Sequence, residues 1–454
     1  MHSLTDRDTA VKKILIITYY WPPAGGPGVQ RWLKFSKYLP EFGYDPIIIT
    51  VDPEKAEYPI KDHTLEQDVR VGQNVYRTNC SGLYEYYKED LEKINEKSLY
   101  EYYKKLTKTQ SAPYSGFVNE GVPSLKQKIA RFIRGNFFLP DARRGWNKHA
   151  YRQAVQIIQK EKIDAVITTG PPMSTHLVGQ KLKKRFHLHW IADFRDPWTD
   201  IYYYNKMYPT LIAKAIDRKY ERNVLLNADQ VITVSDYIKK QLAAKSSAIQ
   251  ASKINVIANG FDAEDFDITI PKEDVFTITY TGTLAADYTI DSFIHSVKRL
   301  SISRKFKLRF VGKVDQGIAQ KLLEELEDFV EIHSFVAHAE AIKYMKSSSV
   351  LLLIIPNIEG NKGNLTGKLF EYIGSRTPIL CLGPTDGDAA AIIQVCKAGK
   401  TFKYDDEEGM FHFLTSLLDN FNPQSPVKEN DAVHRYSRKS LTRSLTQILA
   451  HHED

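Results

Sequence analysis

One stretch constrains the fold more than any other. Residues 357–384 read NIEGNKGNLTGKLFEYIGSRTPILCLGP, and the apolar run Val350 to Ile355 stands just before them. A second apolar run, Pro378 to Leu382, follows within the stretch. Each run has the length of one buried strand of a parallel sheet. Between them, Thr366 to Ser375 has helical spacing, with Leu369, Phe370 and Ile373 on one side. Gly360, Gly363 and Gly367 permit close backbone approach. The first turn of such a helix offers unpaired N–H groups and a positive dipole end, which suit a phosphate. Asn364, Thr366, Gly367 and Lys368 line that turn. Glu371 follows one turn later, where a carboxylate can accept from ribose hydroxyls. The same features also fit an ordinary crossover helix with a glycine-rich start.

The rest of the chain repeats this alternation. Lys13 to Tyr19 reads as a strand, Trp21 to Gly28 as a loop, Val29 to Leu39 as a helix and Pro46 to Val51 as the next strand. The loop holds Gly25, Gly26 and Gly28 together with three prolines, more than a turn needs, so a ligand-facing role is expected. It is not the GxGxxG fingerprint. Residues 52–145 are less regular, with helices expected in Leu83 to Leu106, outside the main sheet. Regular alternation then returns, with strands at Ile163 to Thr168, Leu188 to Ala192, Gln230 to Val234 and Ile254 to Ala258. In such sheets ligands sit beyond the carboxyl ends of the strands, so the loops 21–28, 169–172 and 193–198 are expected to share one rim. That rim would carry Arg195 and Asp196, with His176 two residues into a helix. A helix cap, an ion pair and a packing residue are the plain structural alternatives for Asp196, Arg195 and His176.

A second series begins after Pro271, with strands at Phe276 to Tyr280, Leu308 to Val311 and Glu331 to Val336, then the two already named. Gly282, Thr283 and Lys313 follow strand ends. The expected fold class is α/β: two doubly wound Rossmann-like domains facing each other across a cleft. The expected limits are 1–265 and 266–431, with an irregular segment at about 80–145. A helix in 432–454 would cross back to the first domain.

Composition narrows the partners. A chain of 454 residues is long enough for two or three domains. Its net charge of +7 favours anionic partners such as nucleotide phosphates, and no nucleic-acid motif accompanies that charge. Three cysteines form no framework, which indicates a reducing, cytoplasmic setting. Residues 1–11 do not read as a signal peptide, and no run approaches the roughly 20 apolar residues of a membrane span. Membrane association would therefore be peripheral. From Ser124 to Trp146, six basic residues interleave with Phe132, Ile133, Phe137, Phe138 and Leu139. This segment reads either as a docking face for an anionic membrane, at its inner side, or as aromatics packed into the first domain.

The motifs in order resemble the GT-B-fold retaining glycosyltransferases of the family-4 type. They are Gly25-Gly-Pro-Gly28, Asp193 to Trp198, Val256-Ile-Ala-Asn-Gly-Phe-Asp262, Tyr280-Thr-Gly-Thr283 and Lys368-Leu-Phe-Glu-Tyr-Ile-Gly374 with Pro378. The resemblance implies a nucleotide-sugar donor in the C-terminal domain and a glycan or lipid-linked acceptor on the N-terminal one. Transfer would retain the anomeric configuration without a protein nucleophile. Glu371 matches the second of the family's paired glutamates, which binds ribose. The first falls on Gly363, with Glu359 as a displaced candidate. Arg195-Asp196 stands where the family often has His or His-Asp. Arg195, Asp196 and Lys313 are thus the catalytic candidates, and Gly25, Gly26, Gly28, His176, Gly282, Thr283, Asn364, Thr366, Gly367, Lys368 and Glu371 the substrate-binding ones. No Asp-x-Asp motif sits in a suitable loop, so no metal is expected, nor any cofactor besides the donor. A sugar-nucleotide epimerase or hydrolase of the same shape and a non-catalytic nucleotide-sugar binder are the alternatives.

Overall fold

The computed structural model describes residues 11–56, 58, 61–80, 125–425 and 430–450. The helices expected in 83–106 lie outside these. Seven strands form the first sheet: β1 (Lys12–Ile17), β2 (Tyr44–Val51), β3 (Val75–Thr78), β4 (Ala165–Gly170), β5 (His189–Phe194), β6 (Gln230–Thr233) and β7 (Ile254–Val256). Their order is β3-β2-β1-β4-β5-β6-β7, and every pairing is parallel. Helices α1 (Pro27–Tyr38), α2 (Leu125–Phe137), α3 (Asn147–Lys160), α4 (Thr175–Phe186), α5 (Leu211–Asn227) and α6 (Asp236–Ala244) accompany it.

The second sheet has six parallel strands: β8 (Thr277–Thr281), β9 (Lys307–Val311), β10 (Val330–His333), β11 (Val350–Ile354), β12 (Ile379–Leu382) and β13 (Gly399–Phe402). Their order is β10-β9-β8-β11-β12-β13. Its helices are α7 (Asp291–Ser301), α8 (Gln316–Leu326), α9 (His338–Ser347), α10 (Gly367–Ser375), α11 (Asp388–Val395) and α12 (Glu407–Asp419). A short turn of helix, α13 (Asp431–His434), leads to α14 (Arg438–Ala450). Each sheet is buried on both faces, as parallel sheets require. Trp146, Val178 and Trp190 lie in the core on one side of the first sheet, and Trp32, Leu33 and Phe35 in that on the other. Leu441, Leu445 and Leu449 of α14 join the second group, so this helix forms part of the first domain's outer layer.

Several expectations change. β3 and β13 are additional edge strands of four residues each. They bury one residue apiece and so carry no apolar run in the sequence. α12 is likewise an added element. α2 runs through Gly135 to Phe137. A Cβ on Gly135 would stand 2.3 Å from the Met207 carbonyl, so the glycine serves a close approach of chain segments. β5 extends through Asp193 and Phe194, which puts Asp193 inside the sheet instead of on the rim loop.

Asp193 is buried because it is paired. Arg31 of α1 donates to its carboxylate at 3.0 and 3.2 Å, and both side chains are fully buried. Trp32 Nε1 donates at 2.7 Å and Thr169 Oγ1 at 2.9 Å. The remaining Arg31 N–H groups reach the carbonyls of Ile257 and Ala258, both at 2.9 Å. Removing one partner of a buried pair leaves an uncompensated charge and costs about 3–5 kcal/mol. Arg31→Met should therefore lower the melting temperature by roughly 10 °C in a scanning fluorimetry or calorimetry experiment. Lys439→Met, which breaks an exposed pair with Glu41, should leave it almost unchanged.

Candidate active site

The first rim is built from three loops that follow β1, β4 and β5. Arg195 ties them together. Its Nε donates to the Gly170 carbonyl at 3.1 Å and its Nη2 to that of Pro171 at 2.6 Å. Its third nitrogen lies against Gly28, where a Cβ would stand 2.2 Å from Nη1. The glycine is what lets the guanidinium cross the start of α1. Gly26, with φ +97°, caps that helix, and half-buried Gly25 precedes it. Arg195 thus sits where the sequence puts it, and two of its donors are committed to loop carbonyls. Gly28→Ala should displace Arg195, and a crystal structure of the variant should show its guanidinium withdrawn from the Gly170 and Pro171 carbonyls.

Asp196 is half-buried on the same rim, and no helix begins at or just after it, so it caps none. Burial pushes the Tyr202 hydroxyl up, reinforced by the charges of Asp287 and Asp196. Asp287 and Tyr288 belong to the loop after β8, so at Tyr202 the second domain faces the Asp196 rim. His176 lies a layer deeper. It is fully buried, stacked on Phe194 with ring centroids 4.6 Å apart, and its Nδ1 is 2.9 Å from Thr168 Oγ1. Burial pushes its imidazole down to about 3, so it is neutral. Its Nε2 points toward Gly170, and the ring supports the proline turn from below.

The second rim lies at the point where the order of the second sheet reverses, between β8 and β11. β8 is followed by Gly282 (φ +96°) and β9 by Gly312 (φ +131°). A Cβ on Gly312 would stand 2.4 Å from the Gly282 carbonyl, so the two backbones are in direct contact. Pairing resumes beyond the break, with the Leu284 amide donating to the Lys313 carbonyl at 2.8 Å. The side chain of Lys313 is exposed at the mouth of this loop.

Lys368, in the first turn of α10, leans over Gly282, whose Cβ would meet its Nζ at 3.3 Å. Its ammonium hydrogen-bonds the Tyr280 hydroxyl, which donates to the Thr283 carbonyl at 2.6 Å. Burial pushes Lys368 down to about 7, against the pull of Glu371. Thr366 caps the helix by backbone alone, and its buried Oγ1 has no partner among the described residues. Asn364 and Gly367 are half-buried beside it. These features gather uncapped N–H groups, a free hydroxyl and a cation around Gly282, an arrangement suited to a diphosphate.

Glu371 lies beside residues that the sequence reading did not single out. His338 Nδ1 is 3.9 Å from its carboxylate, and His338 Nε2 is 3.6 Å from Asp265. Hydrogen bonding to Asp265 holds His338 above its usual value. Burial pushes Glu371 up, opposed by His338, Lys368 and Arg438. Arg438 enters from α14, and its buried Nη1 has no partner among the described residues. No local motif announces His338 or Arg438, because they arrive from other helices.

Gly363 has no room for a side chain. A Cβ would stand 2.7 Å from Tyr237 Cδ1 of α6, in the first domain. The neighbouring amide of Tyr237 donates to Asp388 at 2.9 Å, which fixes the ring there. Glu359 is exposed on the preceding turn. Among the described residues, no group of three or more His, Cys, Asp or Glu is placed to hold a metal ion.

Residues 114–265 match the family model described as Glycosyltransferase Family 4. Over that third of the chain the sequence is similar to a glycosyltransferase family 4 domain. That stretch contains Arg195, Asp196 and His176, and the second rim lies outside it. Solved structures extend the likeness over the whole chain. Sucrose-phosphate synthase from Thermosynechococcus elongatus is 15% identical with a TM-score of 0.59, covering 97% of this chain and 98% of that one. The lipopolysaccharide outer core galactosyltransferase WaaB is 14% identical with a TM-score of 0.54, covering 97% and 99%. Anabaena Alr3699/HepE, solved in complex with UDP-glucose, is 12% identical with a TM-score of 0.54, covering 97% and 99%. At these identities they establish the two-domain GT-B fold. A search of curated proteins found no match.

Proposed function

We propose that the chain transfers a sugar, with retention, from a nucleoside-diphosphate sugar to a glycan or lipid-linked acceptor. The observation that carries this reading is the meeting of Lys368, the α10 start and the Gly282–Gly312 contact at the switch point of the second sheet. HepE binds UDP-glucose and WaaB is named as a galactosyltransferase, which supports a nucleotide-sugar donor for a chain of the same fold. In this reading the diphosphate lies on Gly282, Thr283 and the α10 amides. Glu371 accepts from the ribose hydroxyls.

The chemistry then needs no protein nucleophile. The bond from the anomeric carbon to the phosphate oxygen breaks as the acceptor oxygen bonds the same carbon on the same face. The acceptor proton passes to a phosphate oxygen of the leaving diphosphate. Lys368 and the rim amides stabilise the charge that grows there, and exposed Lys313 can add to them. Asp196, on the opposite rim, orients the acceptor hydroxyl. With Tyr237 over Gly363, position 363 supplies no carboxylate to the transferred sugar. Rapid hydrolysis or epimerisation of the donor without acceptor would favour the epimerase or hydrolase reading. Binding without any turnover would favour a non-catalytic one.

Lys368 makes donor binding depend on pH. Below about 7 the free protein already carries the ammonium that the diphosphate needs. Above it, binding must draw a proton onto Lys368. Affinity for nucleoside diphosphates should therefore fall up to about tenfold per pH unit above neutrality. Calorimetry in buffers of different ionisation enthalpy should show the proton uptake, and Lys368→Met should abolish both effects. Glu371→Ala should weaken donor binding by about 1–3 kcal/mol without unfolding the protein. Asp196→Asn should cut turnover far more than donor affinity. A variant that turns over at the normal rate would remove Asp196 from the reaction.

A further inference from the structure

We propose that α2 and the first half of α5 form a docking face for an anionic lipid surface. Such a face would serve the chain whatever reaction its rims carry out. Large apolar side chains stand exposed on both helices. On α2 Leu125 (74% exposed), Ile129 and Phe132 are spaced to share one face, and Phe137 (74%) is exposed at the helix end. On α5 they are Leu211 (85%), Ile212 (74%) and Ile216. The helices are joined where these residues meet. Asn136 of α2 donates to the Tyr208 carbonyl at 3.0 Å and accepts from the Thr210 amide at 2.7 Å. Phe132 is thus one turn from the joint and Leu211 one residue beyond it. Exposed apolar residues gathered in this way mark an interaction surface.

The charges identify what it meets. α2 contains four basic residues and no acidic one. α5 contains both signs but segregates them. Its acids, Asp217 and Glu221, are buried, bound by Trp198 Nε1 at 2.8 Å and Thr199 Oγ1 at 2.5 Å. Its cations Arg218, Lys219 and Arg222 are exposed. The acids neutralise nothing outside, so every exposed charge on the two helices is positive. Apolar side chains ringed by cations alone match a negatively charged lipid interface, which takes the apolar groups between its headgroups. The basic and aromatic stretch of 124–146 enters this face only in part. Arg143 lies over the Tyr19 ring and Arg144 over the Tyr220 ring of α5, so both guanidinium groups are stacked on neighbouring aromatic side chains.

The test is sedimentation of the full chain with vesicles of phosphatidylcholine, alone or mixed with phosphatidylglycerol. The protein should pellet with the mixed vesicles at low salt, stay free of the neutral ones, and be released as salt screens the charges. Replacing Lys128, Arg218, Lys219 and Arg222 by Gln should weaken binding by about fivefold per cation removed. Replacing Ile129, Leu211 and Ile212 by Asn should weaken it at every salt concentration, with melting temperature and nucleotide affinity unchanged. Equal pelleting with neutral vesicles, absence of pelleting, or wild-type binding by both variants would overturn the proposal. So would a dimer in light scattering that the Asn variant converts to a monomer, which would assign the face to a second copy of this chain.

Discussion

The buried pair of Arg31 and Asp193 is the interaction on which the first domain's rim depends. One guanidinium and one carboxylate join α1, β4, β5 and the segment after β7. The carboxylate takes four donated hydrogen bonds, so its burial is compensated in full. Arg195, two residues after Asp193, inherits a fixed starting point, and from there it reaches the loops after β1 and β4. A rim built in this way is rigid before any substrate arrives, which is what positioning chemistry asks of it.

The second rim is arranged differently. Its central feature is backbone against backbone, Gly282 on Gly312, with a lysine laid across the break. The first rim offers side chains fixed by carbonyls, and the second offers amides, a hydroxyl unpartnered among the described residues and a cation held by the Tyr280 hydroxyl. That contrast agrees with one domain orienting an acceptor and the other receiving a diphosphate.

Much of this was legible in the sequence, and the reason is periodicity. Parallel strands buried on both faces leave continuous apolar runs, so β1, β2, β11 and β12 were readable with nearly correct limits. Edge strands β3 and β13 bury too little to leave such a run. Among the residues gathered at the second rim, Lys368 and Glu371 were readable as candidates because one local motif contains both. His338, Arg438 and Tyr237 were not, because each reaches the second rim from a distant element. Asp193 read as rim because the apolar run of its strand ends at Ala192. Its partner Arg31, 162 positions away, carries no local sign of the pairing.

The path of α14 bears on how the two domains move. The chain crosses between them first near Phe261 and again just before α14, and the two crossings are bonded to each other. The Phe261 amide donates to the Tyr436 carbonyl at 3.0 Å, and the Arg438 amide to the Phe261 carbonyl at 2.7 Å. A single tether lets one body swing and spin freely about the other. Two tethers bonded side by side resist spin and leave chiefly opening and closing about the axis they share. The rims then meet in nearly the same register at each closure, so alignment of donor and acceptor is encoded at the hinge, away from the residues that touch either.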